Sequence, residues 1–210
     1  MAKGTTVYAT TRRPAESKEL QKLAAGAGGA VVITQLDVSS ATSVEAWAAD
    51  LKGRVPHVDL LVNNAGVGTW TGLDATTAEE MVDTFRINTV GPLLVTQQLR
   101  KQGMLRAGST VASMTSKMGS IDDNTSGGCY AYRASKAALN IVSMSLSHDL
   151  GKDGVTCVML HPGFVRTEMT GGQGLISAQE CVAGLLAVLE RSPSELQGSW
   201  FDYAGKKVSW

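Results

Sequence analysis

The sequence predicts an α/β fold: one doubly wound parallel sheet, covered by helices on both faces, in a single domain spanning 1–210. Short β-rich runs alternate with longer helical segments along all 210 residues. Several of those runs are aliphatic almost throughout, as strands buried on both faces must be. Their carboxyl ends carry asparagine, serine or Pro-Gly, and in parallel sheets ligands bind at those ends.

Taken in order, strands are predicted at 5–9 (TTVYA), 30–34 (AVVIT), 58–62 (VDLLV), 109–112, 155–160 (VTCVML) and 199–203. Between them, helical spacing covers 15–25, 43–51, 78–102, 130–150 and 178–190. Pro14 pre-sets the entry to the first helix, and Gly26 is placed to end it. No linker, repeat or low-complexity segment interrupts this order.

Composition narrows the function classes. Nineteen basic and nineteen acidic residues cancel without blocks of like charge, which argues against a nucleic-acid partner. The longest apolar run, 181–189, is far too short to span a membrane, and the first residues lack a signal-peptide core. Three cysteines, odd in number and without metal-ligand spacing, suit a reducing compartment, so a cytoplasmic protein without a metal site is expected.

The chemistry concentrates in a few residues. Tyr132 and Lys136 are four apart on a predicted helix, so phenol and ammonium share one face. A cation there is expected to lower the phenol pKa toward the range useful for proton transfer. The spacing alone is weak, because Tyr203-Ala-Gly-Lys-Lys207 repeats it, although Gly205 marks that copy as a turn. Asn63-Asn64-Ala65-Gly66 closes an apolar strand; one amide can tie neighbouring strands, the other can approach a ligand, and Gly66 permits close backbone approach. A plain strand-ending turn would use the same residues. Ser116 follows the strand 109–112, where a surface-loop serine is the bland alternative. Asp37, after the second predicted strand with Val38 next to it, is suited either to accept from an adenine amino group or to cap the next segment. Pro162-Gly163 forces a turn after the strand 155–160, and Thr167 beyond Val165 is placed to donate to a carboxamide or phosphate. Asn88 lies mid-helix, where an amide is usually solvent-facing.

Together these residues resemble the short-chain dehydrogenase/reductase family, in that family's order over essentially the whole chain: Asn-Asn-Ala-Gly, Asn88 in Arg-Ile-Asn-Thr-Val-Gly-Pro, Ser116 before Lys-Met-Gly, Tyr132-x-x-x-Lys136, and Pro162-Gly163 before Thr167. The segments 115–121 and 201–210 look most like its C-factor-like, carbonyl-reductase-related branch. The resemblance implies a Rossmann-like fold and hydride transfer between NADP(H), with NAD(H) as the alternative, and a small carbonyl or alcohol. By that analogy Tyr132 donates the proton, Lys136 lowers its pKa and holds the nicotinamide ribose, Ser116 orients the substrate oxygen, and Asn88 holds a relay water. Asn64, Ala65, Gly66, Pro162, Gly163, Val165 and Thr167 would line the cofactor, with Asp37 and Val38 at its adenine end. Arg12 and Arg13 would pair with a 2′-phosphate; two solvated loop arginines are the alternative. Relatives pair through helices corresponding to 78–102 and 130–150, which implies a homodimer. Loops 122–129 and 167–176 would form the substrate pocket.

One element of the pattern is expected to be missing: the first βα unit, whose glycine-rich turn holds the cofactor pyrophosphate. Met1-Ala-Lys-Gly aligns with the end of its helix. Gly26-Ala-Gly28-Gly29 lies between a helix and a strand, the reverse of the order a phosphate loop needs. Five buried aliphatic residues at about 2 kcal/mol each are worth roughly 10 kcal/mol, comparable to the net stability of a domain. The chain alone is therefore expected to bind cofactor weakly and to be marginally stable. An active reductase, a non-catalytic relative that dimerises or signals, and an incomplete coding sequence remain as readings.

Overall fold

The computed structural model describes residues 4–210; the expected helix end at 1–3 lies outside them. Parallel strands alternate with helices, as the sequence predicts. The strands are β1 (Val7–Thr11), β2 (Val31–Gln35), β3 (Leu60–Asn63), β4 (Thr110–Met114), β5 (Thr156–His161) and β6 (Trp200–Asp202). The helices are α1 (Lys18–Gly26), α2 (Ala41–Arg54), α3 (Ala78–Phe85), α4 (Gly91–Lys101), α5 (Tyr130–Gly151), α6 (Ala178–Leu189) and the short α7 (Pro193–Leu196).

The expected single sheet is divided. β1 pairs only with β2, and the order β3-β4-β5-β6 forms a second, four-stranded sheet. Among the described residues β1 and β3 each keep one edge without a strand partner.

The four-stranded sheet is doubly wound, and its side-chain alternation shows why. Val111 and Cys157 face a core with Leu61, Val95, Leu99 and Leu150. Their neighbours Ala112, Val158 and Leu160 face a second core with Cys181, Leu185, Val188 and Phe201. Strands buried on both faces read as continuous aliphatic runs, which is why β5 was legible. The first core also reaches α2 through Val44, Trp47 and Leu51, and Tyr8 of β1 packs on it. A buried bond from Trp47 Nε1–H to Thr34 Oγ1, 3.1 Å, fixes α2 on β2.

Most boundaries shift by one to three residues from expectation, and three differences matter for the fold. β1 starts two residues later than predicted and takes in Thr10 and Thr11. Pro14 opens a short 3₁₀ turn, Pro14–Glu16, and α1 begins after it; Gly26 is its last residue, and Gly28 and Gly29 supply the positive φ angles (57° and 87°) that reverse the chain. The helix expected at 78–102 is two helices joined by a π-helical segment, Arg86–Val90. The second Tyr-x-x-x-Lys spacing is the turn that Gly205, φ 78°, predicted.

Candidate active site

The candidate site is built where the carboxyl ends of β3 and β4 meet the first turns of α5. Gly66, three residues beyond β3, passes over two of its members: a Cβ there would stand 3.2 Å from Asn88 Oδ1 and 3.5 Å from Lys136 Nζ. A side chain there would press on the amide, so it is the close approach, and not a turn, that favours glycine.

Asn88 is fully buried in the π segment. Its Oδ1 accepts from the Val67 N–H at 2.8 Å, while its Nδ2 donates to the Val67 carbonyl at 2.9 Å and to Ser135 Oγ at 3.0 Å. A regular helix would rotate this side chain elsewhere; the π turn re-aims it, as such turns do at functional sites. The solvent-facing alternative fails here, and both amide hydrogens are already committed to protein partners. Asn63 does not tie strands together; it is buried and donates from Nδ2 to Thr96 Oγ1 of α4 at 3.2 Å. Asn64 and Ala65 are exposed beside it.

Ser116 caps a 3₁₀ turn, Lys117–Gly119, and its Oγ accepts from the Met118 N–H at 3.2 Å. Two residues that sequence reasoning gave no role hold this turn in place. Gly119 lies directly on α5, where a Cβ would be 2.7 Å from the Lys136 carbonyl carbon. His161 accepts at Nδ1 from the Lys117 N–H at 3.2 Å. Burial, helped by the Lys117 charge, pushes its pKa down to about 4, so it stays neutral with its proton on Nε2. Its position before Pro162 was the available signal.

Tyr132 and Lys136 are both buried on α5. Lys136 Nζ donates to the Met114 carbonyl at 2.8 Å and stands 5.8 Å from the Tyr132 ring centre. Burial lowers its pKa to about 8. The expected depression of the Tyr132 pKa is not found: burial raises it, and the Ser116 hydroxyl only partly opposes that rise. The ammonium is directed at a carbonyl of β4 instead, and the phenol stays protonated at neutral pH. Asn88, Ser116, Tyr132, Lys136 and Gly66 thus converge on one surface, at which a buried phenol can give a proton.

The remaining candidates divide. Gly163 has φ 83°, and a Cβ there would meet the Tyr203 ring at 2.9 Å, so the Pro162-Gly163 turn is packed against the chain beyond β6. Val165 is buried and bridges to Ile176, while Thr167 is exposed, its N–H donating to Thr170 Oγ1 at 3.0 Å. Asp37 and the arginines lie at the end of the two-stranded sheet. Asp37 Oδ1 accepts from the Ser39 hydroxyl at 2.6 Å and from its N–H at 2.9 Å. Those bonds, then the Arg12 charge, hold its carboxyl below the usual range. It closes the turn to Ser39, while the cap of α2 is Ser40, whose Oγ accepts from the Ser43 N–H at 3.3 Å. Val38 packs on Gly91, where a Cβ would be 2.9 Å from its own. Arg13 pairs with Glu16 at 3.1 Å on the surface, and Arg12 is exposed. No group of three or more described metal-ligating side chains could hold a metal ion.

The family model described as short chain dehydrogenase matches residues 1–175. The chain belongs to that family. It is 46% identical over 157 residues to the C-signal of Myxococcus xanthus, covering 73% of this chain and 93% of that protein. It is 37% identical over 188 residues to 1-hydroxy-2-glutathionyl-2-methyl-3-butene dehydrogenase of Rhodococcus sp. (strain AD45), covering 88% of this chain and 82% of that one. Among solved structures, NADPH-bound carbonyl reductase from chicken fatty liver superposes with a TM-score of 0.88 at 33% identity, over 98% of this chain and 88% of that one. The Rossmann-like fold expected from the residues is therefore shared with family members of known structure.

Proposed function

We propose that this chain is an oxidoreductase that moves a hydride between NADP(H) and a small carbonyl or alcohol, with Tyr132 as the general acid and base. The observation that carries the reading is the convergence of Tyr132, Ser116, Asn88 and Gly66 around the buried Lys136. NADP(H), when bound, supplies or accepts the hydride. Gly66 leaves room for a cofactor ring beside Lys136, and Lys136 would hold its ribose. Tyr132, protonated at neutral pH, gives its proton to the carbonyl oxygen, which Ser116 Oγ orients. In the alcohol direction the raised phenol pKa requires more alkaline conditions. The preference for NADP(H) over NAD(H) rests on Arg12 and on the NADPH bound in the chicken reductase.

A homodimer is supported by exposed Val82 and Phe85 on α3 and Ile141 on α5, apolar side chains on the two long helical segments; a solution mass of one chain would refute it. No described helix is long and apolar enough to cross a membrane, and the free cysteines support a cytoplasmic setting. A second reading, a signalling relative without catalysis, is favoured by the 46% identity to C-signal.

Thermal melts of the purified chain with saturating NADPH, with NADH and with neither test the proposal, because a ligand that binds only the folded state raises the transition. A rise with NADPH larger than with NADH, followed by ketone-dependent NADPH oxidation, is the expected result. A transition indifferent to both cofactors would overturn the enzyme reading in favour of the non-catalytic one.

A further inference from the structure

The side chain that stands over the catalytic phenol has been given no role so far. Trp70 and Tyr132 lie with ring centres 5.4 Å apart and planes tilted by 52°, within the range aromatic pairs prefer. Trp70 is nevertheless 53% exposed. Isolated exposed apolar residues are common and need no explanation. Here the largest side chain type leaves half its surface bare next to the group that delivers the proton.

The loop under Trp70 is braced from several sides. Val67 is fastened to Asn88 by the reciprocal pair of bonds described above. The Thr71 carbonyl accepts from the Cys129 N–H at 2.9 Å, which ties the loop to the start of α5. Gly68 lies beneath the indole: a Cβ there would fall 2.7 Å from Trp70 Cζ2 and 3.3 Å from Met169 Cγ. The indole edge and the Met169 side chain therefore both lie close over Gly68, and a methyl there would displace them. The backbone that carries the indole is therefore fixed before a ligand arrives, which lowers the cost of binding against it.

We propose that Trp70 is the specificity-determining wall of the substrate site, and that it selects carbonyl compounds with a flat aromatic ring attached to the carbonyl carbon. This rests on the oxidoreductase reading for the position of the reacting carbonyl at Tyr132. With its oxygen at the phenol, the group on the carbonyl carbon has the exposed indole one ring away. A flat aryl group gains an offset or tilted contact there. A saturated ring of similar size gains only apolar burial.

Two readouts test it. The first is the ratio of kcat/KM for acetophenone to that for cyclohexyl methyl ketone, in the unchanged chain, in Trp70→Ala and in Gly68→Ala. The ratio should favour the aryl ketone and fall about three- to tenfold in both variants, since the added methyl of Gly68→Ala displaces the indole without removing it. The second needs no turnover: the Trp70 indole N–H resonance, assigned by its loss in Trp70→Phe, should shift with acetophenone and stay still with the cyclohexyl ketone. Selective shift without any turnover would uphold the aromatic wall and sink the oxidoreductase reading. Equal shifts, no shift at all, or a selectivity ratio unchanged in Trp70→Ala would overturn the proposal itself.

Discussion

The four-stranded sheet and the two-stranded sheet are built from similar residues and end in different states. In the first, Ala112, Val158, Met159 and Leu160 are no more than 1% exposed. At its open edge, Leu60 and Val62 of β3 remain 41% and 43% exposed, although Val62 is in register with Ala112, which is buried in the second core. That core covers β4 and β5 and stops short of β3. Val7 of β1, across the division, is 38% exposed, and no residue of α1 is buried. The difference teaches where the chemistry resides. The four residues proposed to handle the proton sit on or beside the four-stranded sheet, whereas Arg12 and Asp37, expected at the far end of the cofactor, sit at the end of the two-stranded one. The two halves meet chiefly on one face, through the core shared by α2 and α4 and the contact of Val38 with Gly91.

The sharpest way to break this division is at the phenol. Tyr132→Phe keeps the ring and its contact with Trp70 while removing the proton donor. Reduction should fall by about 100- to 10,000-fold with the melting temperature little changed. A variant that keeps a tenth of its activity would move the proton source away from Tyr132. Hydrogen exchange probes the sheets directly. Amides of β4 and β5 should open only with global unfolding, and those of β1 and β2 should exchange faster by about two orders of magnitude or more. Equal protection across both sheets would mean that the division in hydrogen bonding has no energetic counterpart.

Legibility in the sequence followed the same division. Strand β5 could be read because burial on both faces imposes a long aliphatic run, and the helix carrying Tyr132 and Lys136 because of its regular spacing. β1 was misplaced by two residues because Thr5 and Thr6 have the same strand propensity as Thr10 and Thr11; pairing to β2 selects the later pair. The π turn at Asn88 was invisible: Arg-Ile-Asn-Thr-Val is unremarkable in a helix, and only contact with Val67 and Ser135 singles it out. His161 and Gly119 were missed because each acts on Ser116 or Lys136 through the backbone, which leaves no spacing rule to detect. The Tyr132 pKa was predicted with the wrong sign, since the sequence placed a cation near the phenol but could not weigh burial against it.

Burial of Lys136 supplies a smaller test of how closed the half that carries the candidate site is. Lys136 is 4% exposed, and burial lowers its pKa from 10.5 to about 8. The unfolded chain therefore holds more protons than the folded one between those values, and stability should rise with pH across that window. Below pH 8 both states carry the charge and the burial penalty is felt in full; above about pH 10.5 it vanishes. The thiols of Cys157 and Cys181, both raised by burial, act in the opposite direction once pH exceeds about 9, so the raw stability curve mixes the two. Comparison with Lys136→Met separates them, because the thiols are common to both chains. The variant should be favoured at neutral pH relative to its value at high pH. The gap should change by about 1 kcal/mol per pH unit above pH 8, to a total on the order of 3 kcal/mol. A gap independent of pH would mean that water reaches the ammonium, and that the half carrying the candidate site is as open as β1 and β2.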